Sequence, residues 1–173
     1  MPAAAEACHD IHPLPGLTRS LCGLKGHPVP VANIHVLAGH PRPVLQQLLR
    51  EAARTYAAIL ESPIDRVQVW ITEVDPGLYA IAGEPADEAL STGDRGALEI
   101  PLVRLAMMEG RPLAQVQRAI AELTEVTARV LGGDPARVRV EVQHISPERW
   151  GIGGVPASVL RRDEIEARKA AGG

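Results

Sequence analysis

The chain is 173 residues long, carries a net charge of −3 at neutral pH and is 46% hydrophobic. That length accommodates one domain or two small ones, the slight negative charge provides no basic field for nucleic acid, and no apolar run is long enough to span a bilayer. The opening MPAAAEACHDIHP lacks the cationic region and long apolar core of a signal peptide, so a cytoplasmic protein with no membrane partner is expected.

Residues 1–29 are rich in Pro, Gly and His and read as an N-terminal extension, expected to be poorly ordered. Both cysteines, Cys8 and Cys22, fall there, which argues against a disulfide framework inside the fold. With His9, His12 and His27 they bring thiol and imidazole groups that suit zinc. Their spacing matches no closed structural site, and no metal or other cofactor is expected.

From Pro30 to Leu37 the chain alternates and is rich in Val, Ile and Ala, as a short buried strand would be. Gly39 ends it, and Pro41 suits a first helical turn. Val44, Leu45, Leu48, Leu49, Ala52, Ala53, Tyr56, Ile59 and Leu60 then recur at helical spacing. Val67 to Thr72 alternates as a second strand, Asp75-Pro76-Gly77 supplies a turn, and Tyr79 to Ile81 is a short extended piece. Residues 87–100 are polar, with Gly, Ser and Thr, and read as a linker. The same order then returns: strand Leu102 to Met108, helix Ala114 to Leu131, strand Val138 to Gln143, a turn at Ser146-Pro147, and Trp150-Gly151-Ile152-Gly153-Gly154. Residues 163–173 form a polar tail.

The chain is thus an internal duplication, with one unit at 30–86 and another at 101–162. Laid over each other without a gap, the two share Pro30/Pro101, Gly39/Gly110, Pro41/Pro112, Arg66/Arg137, Val67/Val138, Val69/Val140, Ile81/Ile152 and Gly83/Gly154. The matches fall at turns and strand cores, where backbone geometry is demanding. A strand-helix-strand unit this short forms a right-handed crossover that sets its strands parallel and covers one sheet face with its single helix. Two units are expected to join into a four-stranded sheet with both helices on one face, an α/β (α+β) fold. Several such sheets should then bury their bare faces together.

The second unit reads PLVRLAMMEGR, then RVRVEV, then RWGIGG, and resembles 4-oxalocrotonate tautomerase of the tautomerase superfamily without a gap from Pro101 to Gly154. The first unit resembles it from Pro30 to Gly83, so the chain is similar to a fused, tandem member. The resemblance implies an isomerase that needs no cofactor. An N-terminal proline amine would shuttle a proton on a small anionic 2-hydroxy-dienoate or 2-oxo acid, two arginines would bind and polarise that substrate, and an aromatic residue would wall it in. Carried over, the base positions are Pro30 and Pro101. The first arginine is Arg111, replaced by His40 in the first unit, and the second is Arg139, replaced by Gln68. The aromatic is Trp150, with Tyr79 opposite, and Met108 and Leu37 join the substrate-binding set. The assembly implied is a homotrimer of two-unit chains. The water-activating carboxylate of the related trans-3-chloroacrylic acid dehalogenase aligns with Ile152 and Ile81, which disfavours hydration or dehalogenation.

One departure bears on chemistry. Only an N-terminal proline is an amine, and in the sequence as written both Pro30 and Pro101 are internal amides. Val29 directly precedes Pro30, and a start there, followed by trimming, would free Pro30. A free α-amine has a pKa of about 7.7 to 8.0, which nearby guanidinium groups and burial would lower toward neutrality, where a base works best. The first unit therefore keeps a proline that can be liberated but lacks both arginines, whereas the second keeps both arginines behind a locked proline. By the resemblance, Pro30 would meet Arg111 and Arg139 across the two units and from a neighbouring chain. The alternative is a catalytically inactive scaffold that keeps the arginine pocket for an anion.

Overall fold

In the computed structural model the described residues are 30–171, so the expectations for the N-terminal extension, its cysteines and its histidines lie outside them. Pro30 and Pro101 immediately precede strands β1 (Val31–Leu37) and β5 (Leu102–Met108). Alternate residues of each strand, Ala32, Ile34 and Val36 in β1 and Val103, Leu105 and Met107 in β5, are almost fully buried. Each strand feeds a long helix, α1 (Arg42–Ile59) or α4 (Leu113–Leu131). Neither has a side-chain N-cap. Pro41 and Pro112 hold that position, proline being tolerated where the backbone N–H has no helical partner. The apolar stripes Leu45, Leu48, Ala52, Tyr56 and Val116, Ala119, Leu123, Val126 pack onto the buried strand residues as one core. Full burial of a side chain such as Leu48 or Leu123 contributes about 1.5 to 3 kcal/mol.

The helices return the chain to β2 (Gln68–Val74) and β6 (Arg139–Ile145), parallel to β1 and β5 respectively, while β1 and β5 pair antiparallel. The four-stranded sheet has the order β2-β1-β5-β6, the expected fold. β2 and β6 run further than the alternation predicts because they pair with the whole of β1 and β5, out to Leu37 with Val74 and Met108 with Ile145. Each unit closes with a small hairpin, β3 (Ala80–Ile81) with β4 (Glu84–Pro85), and β7 (Gly151–Ile152) with β8 (Val155–Pro156).

The connection between the units is helical, α2 (Ala86–Thr92) and α3 (Arg95–Leu98). Asp87 and Glu88 fall in the first turn of α2, where carboxylates suit the helix dipole, and the Asp94 side chain accepts from Gly96 N–H to cap α3. After α5 (Ala157–Leu160), the residues read as a polar tail form α6 (Arg162–Ala171). It is tied back by Glu164, which accepts from Arg161 at 2.8 Å and, across the two units, from Arg66 at 3.2 Å. No helix of the described residues is long and apolar enough to cross a membrane.

The sheet face opposite the long helices carries Asn33, His35, Trp70, Thr72, Arg104 and Glu141. Thr72 Oγ1 donates to Asn33 Oδ1 at 3.0 Å, Arg104 Nε donates to Glu141 Oε2 at 2.8 Å, and Trp70 is 41% exposed. Burial lowers the pKa of His35, and the Arg104 guanidinium lowers it further. This face is polar enough to stand in water yet bears an uncovered indole.

Candidate active site

The antiparallel register of the central strands, Val31 against Ala106 and His35 against Leu102, decides which candidates can meet. It brings the start of β1 to the end of β5, so Pro30 shares one sheet end with the residues that follow β5. Pro101 lies at the opposite end.

At the Pro30 end the proline ring is fully buried, and its carbonyl accepts from Gln68 N–H at 3.1 Å. Met108, at the end of β5, is covered by the β7–β8 hairpin, in a small cluster with Ile152, Ala157, Trp150 and Leu160. Gly110 takes φ of 82°, a turn conformation that costs glycine little, and swings the chain so that Arg111 points back over the first unit. Arg111 Nη1 donates to Leu60 O at 3.2 Å and to Gln115 Oε1 at 2.9 Å, and Gln115 Nε2 donates to Ile59 O at 2.7 Å. These carbonyls end α1, which lacks a glycine C-cap and turns instead through Glu61 at φ of 50°. A cation and an amide from the second unit therefore cap the last turn of the first, where the helix dipole favours positive charge. Beneath, Tyr56 donates its hydroxyl to Ala106 O at 3.3 Å. Burial raises the pKa of that phenol, and the nearby Arg111 cation opposes the rise. A cleft of about 540 Å³ opens beside the same turn, lined by Glu109, Gly110, Pro147, Glu148, Arg162 and Ile165 among others.

At the other end Pro101 is buried, its carbonyl accepting from Arg139 N–H at 2.8 Å. The Arg139 side chain is exposed, and its Nη1 donates to Ala136 O at 2.9 Å and Val138 O at 3.3 Å. Leu37 is buried and Tyr79 half-buried near this end. His40, aligned with Arg111, has Nε2 at 2.7 Å from Glu99 Oε2. One chain thus gathers Pro30, Gln68, Met108, Arg111 and Trp150 at one end, and Leu37, His40, Tyr79, Pro101 and Arg139 at the other. Sequence reasoning missed Glu99 and Tyr56. The one signal for Glu99 was the imidazole of His40 standing in place of a guanidinium.

The fold has counterparts among known proteins. The Tautomerase enzyme family model matches residues 101–159. A 2-hydroxymuconate tautomerase of Pseudomonas putida is 36% identical over 63 residues, which span 36% of this chain and 100% of that protein. The Comamonas testosteroni 2-hydroxymuconate tautomerase is 35% identical over 63 residues, again 36% of this chain and 100% of the relative. Among solved structures, native fused 4-OT is 25% identical with a TM-score of 0.67, covering 75% of this chain and 98% of that one. A fused 4-OT asymmetric trimer is likewise 25% identical, with a TM-score of 0.65 and the same coverage. The two 2-hydroxymuconate tautomerases thus cover about a third of the chain over their full length, whereas the fused structures cover three quarters of it. The chain belongs to the tautomerase superfamily, as a fused, 4-oxalocrotonate tautomerase-like member with two units in tandem.

Proposed function

We propose that this protein is a cofactor-independent keto-enol tautomerase acting on a 2-hydroxy-dienoate or 2-oxo acid, with one site per chain at the Pro30 end. The observation that carries this reading is the placement of Pro30 from the first unit with Arg111 and Trp150 from the second at one sheet end. Membership of a family of isomerases supports the reaction type.

The amine of a liberated Pro30 takes a proton from the 2-hydroxyl of the dienol. The electron pair moves through the conjugated chain, and the proline ammonium returns a proton to carbon, leaving the 2-oxo product and the free amine. Arg111, held over the end of α1, supplies a planar fork that suits a carboxylate of the substrate. Arg139, at the far end of its own chain, reaches this site from a neighbour and stabilises the charge developing on the 2-oxygen. Trp150 and Met108 exclude water from the reacting face. The fused 4-OT relatives are described as trimers, and a homotrimer of this chain brings the second arginine into place.

The experiment compares protein beginning at Pro30 with the full chain in the tautomerisation of 2-hydroxymuconate. Activity is expected in the first and near-absence in the second, because acylation draws the proline lone pair into amide resonance. Pro101→Ala should retain activity. Equal turnover in both lengths would remove Pro30 as the base. No turnover in either would favour the anion-binding scaffold, the reading suggested by two prolines that are internal as written.

A further inference from the structure

Among the described residues, the Pro101 end is filled by the connection between the units. Glu99 lies two residues before Pro101, and its side chain is only 5% exposed. Its carboxylate accepts from Leu37 N–H at 2.5 Å and stands 2.7 Å from His40 Nε2, with Arg95 Nη1 at 3.8 Å. His40 is itself 5% exposed and occupies the position that Arg111 holds in the second unit. The segment carrying Glu99 is fixed along its whole length. Arg95 donates to Leu37 O at 3.3 Å and Ala38 O at 3.0 Å, and Arg137 donates to Leu98 O at 2.5 Å and Glu99 O at 3.2 Å. Two glycines record how closely it is docked. A Cβ on Gly39 would lie 2.8 Å from Arg95 Nη2, and one on Gly96 would lie 2.6 Å from Gly132 O. What remains beside Pro101 is a cavity of about 10 Å³, lined by Gly96, Glu99, Pro101 and Ala128 among others, barely the volume that one water needs.

We infer that the Pro101 end is a carboxylate-binding site occupied in cis by Glu99, so that the connection between the units acts as a tethered ligand and each chain offers one open substrate site rather than two. The recognition elements are a buried imidazole and a backbone N–H at the end of β1, each within hydrogen-bond distance of the carboxylate, with the Arg95 guanidinium, from the connection itself, 3.8 Å away. At the Pro30 end the counterpart of His40 is Arg111, and there, on the tautomerase reading above, a substrate carboxylate takes the place that Glu99 fills here. The equivalence with the substrate site rests on that reading. Occupancy in cis does not, because it is read without turnover.

The test is carboxylate rescue of the full chain. Glu99→Ala deletes the tethered carboxylate and leaves its three partners lining a cavity. Its melting temperature is expected to fall by several degrees, and sodium acetate should restore it in a saturable way that sodium chloride at equal ionic strength does not. Glu99→Gln keeps the shape of the plug, so acetate should raise it no more than it raises the wild type. Adding His40→Arg to Glu99→Ala should tighten the acetate response. Wild-type stability of Glu99→Ala, or equal recovery in chloride, would overturn the inference. If Glu99→Ala fails to fold in either salt, Glu99→Gln decides. Carboxylate recognition requires it to melt below wild type, and a wild-type melting temperature would show that the end is closed by shape alone. No tautomerase activity in protein beginning at Pro30, with acetate rescue intact in the full chain, would refute the reading of the Pro30 end and leave this one standing.

Discussion

The two arginines aligned with the family pattern are held very differently. Arg111 is braced by Leu60 O at the end of α1 and by Gln115 Oε1 from α4, whereas the Arg139 side chain rests, exposed, on its own backbone neighbours. Arg111→Ala should therefore lower stability as well as activity, since it strips a cap from α1, at a cost of about 0.5 to 2 kcal/mol by analogy with other caps. Arg139→Ala should leave the melting temperature unchanged and lower kcat/KM by on the order of a hundredfold, the loss of a contact made in the transition state. Thermal melts beside steady-state kinetics separate the two. His35 gives a pH prediction. Its folded pKa lies below the ordinary value of 6.5, chiefly through burial and then through Arg104. Below pH 6.5 the unfolded chain binds a proton that the folded chain resists, so stability falls with acidification there. Denaturant melts of His35→Gln should show a shallower decline between pH 6.5 and the folded pKa than the wild type, and an equal slope would count against this placement of the imidazole.

At the scale of elements, the small helix α3 is a fitted part rather than a connector. Its Gly96 passes the last turn of α4 so closely that a Cβ would meet Gly132 O at 2.6 Å. The obstacle is backbone and cannot rotate away. Gly96→Ala is expected to cost about 1 to 3 kcal/mol, the usual penalty of overpacking, read as a lower urea midpoint with an unchanged slope. That helix also marks the limit of what the sequence disclosed. The strands and long helices were legible because each has a buried face: the apolar positions of α1 and α4 recur at helical spacing, and β1 and β5 alternate. Residues 87–100 have no such face. Gly93, Gly96 and Ser91 signal turns, and what makes the segment helical and docks it is contact with β1, Arg137 and the end of α4. α6 was hidden for the same reason, because its anchor to Arg66 is far away in the sequence. For the candidate site, residue identities were readable at every aligned position. Their division between two ends was suggested only by the family resemblance, since in the chain itself it depends on the antiparallel register of β1 and β5.

At the scale of the molecule, the same register sets a rule about which chain supplies what. Pro30 and Arg111 share an end and Arg139 lies at the other, so under the proposed function a working site takes its base and first arginine from one chain and its second arginine from a neighbour. A polar sheet face with Trp70 uncovered gives the chains a surface to meet on, and a trimer is expected by light scattering. Subunit mixing tests the rule directly. One partner is the full chain, whose Pro30 nitrogen is an amide but whose Arg139 is intact. The other begins at Pro30 and carries Arg139→Ala. Each alone should be nearly inactive. Co-refolded in equal amounts, they should recover about a quarter of the sites, since a base-bearing chain meets an arginine-bearing neighbour at one junction in four on random assembly in a ring. The control replaces Arg139→Ala by Arg111→Ala in the chain that begins at Pro30. No activity should return, because every chain with a free proline then lacks the arginine that must come from itself. Recovery in the control, or none in the first mixture despite mixed trimers by native mass spectrometry, would place the two arginines on the opposite sides of the subunit boundary from those that the sheet register dictates.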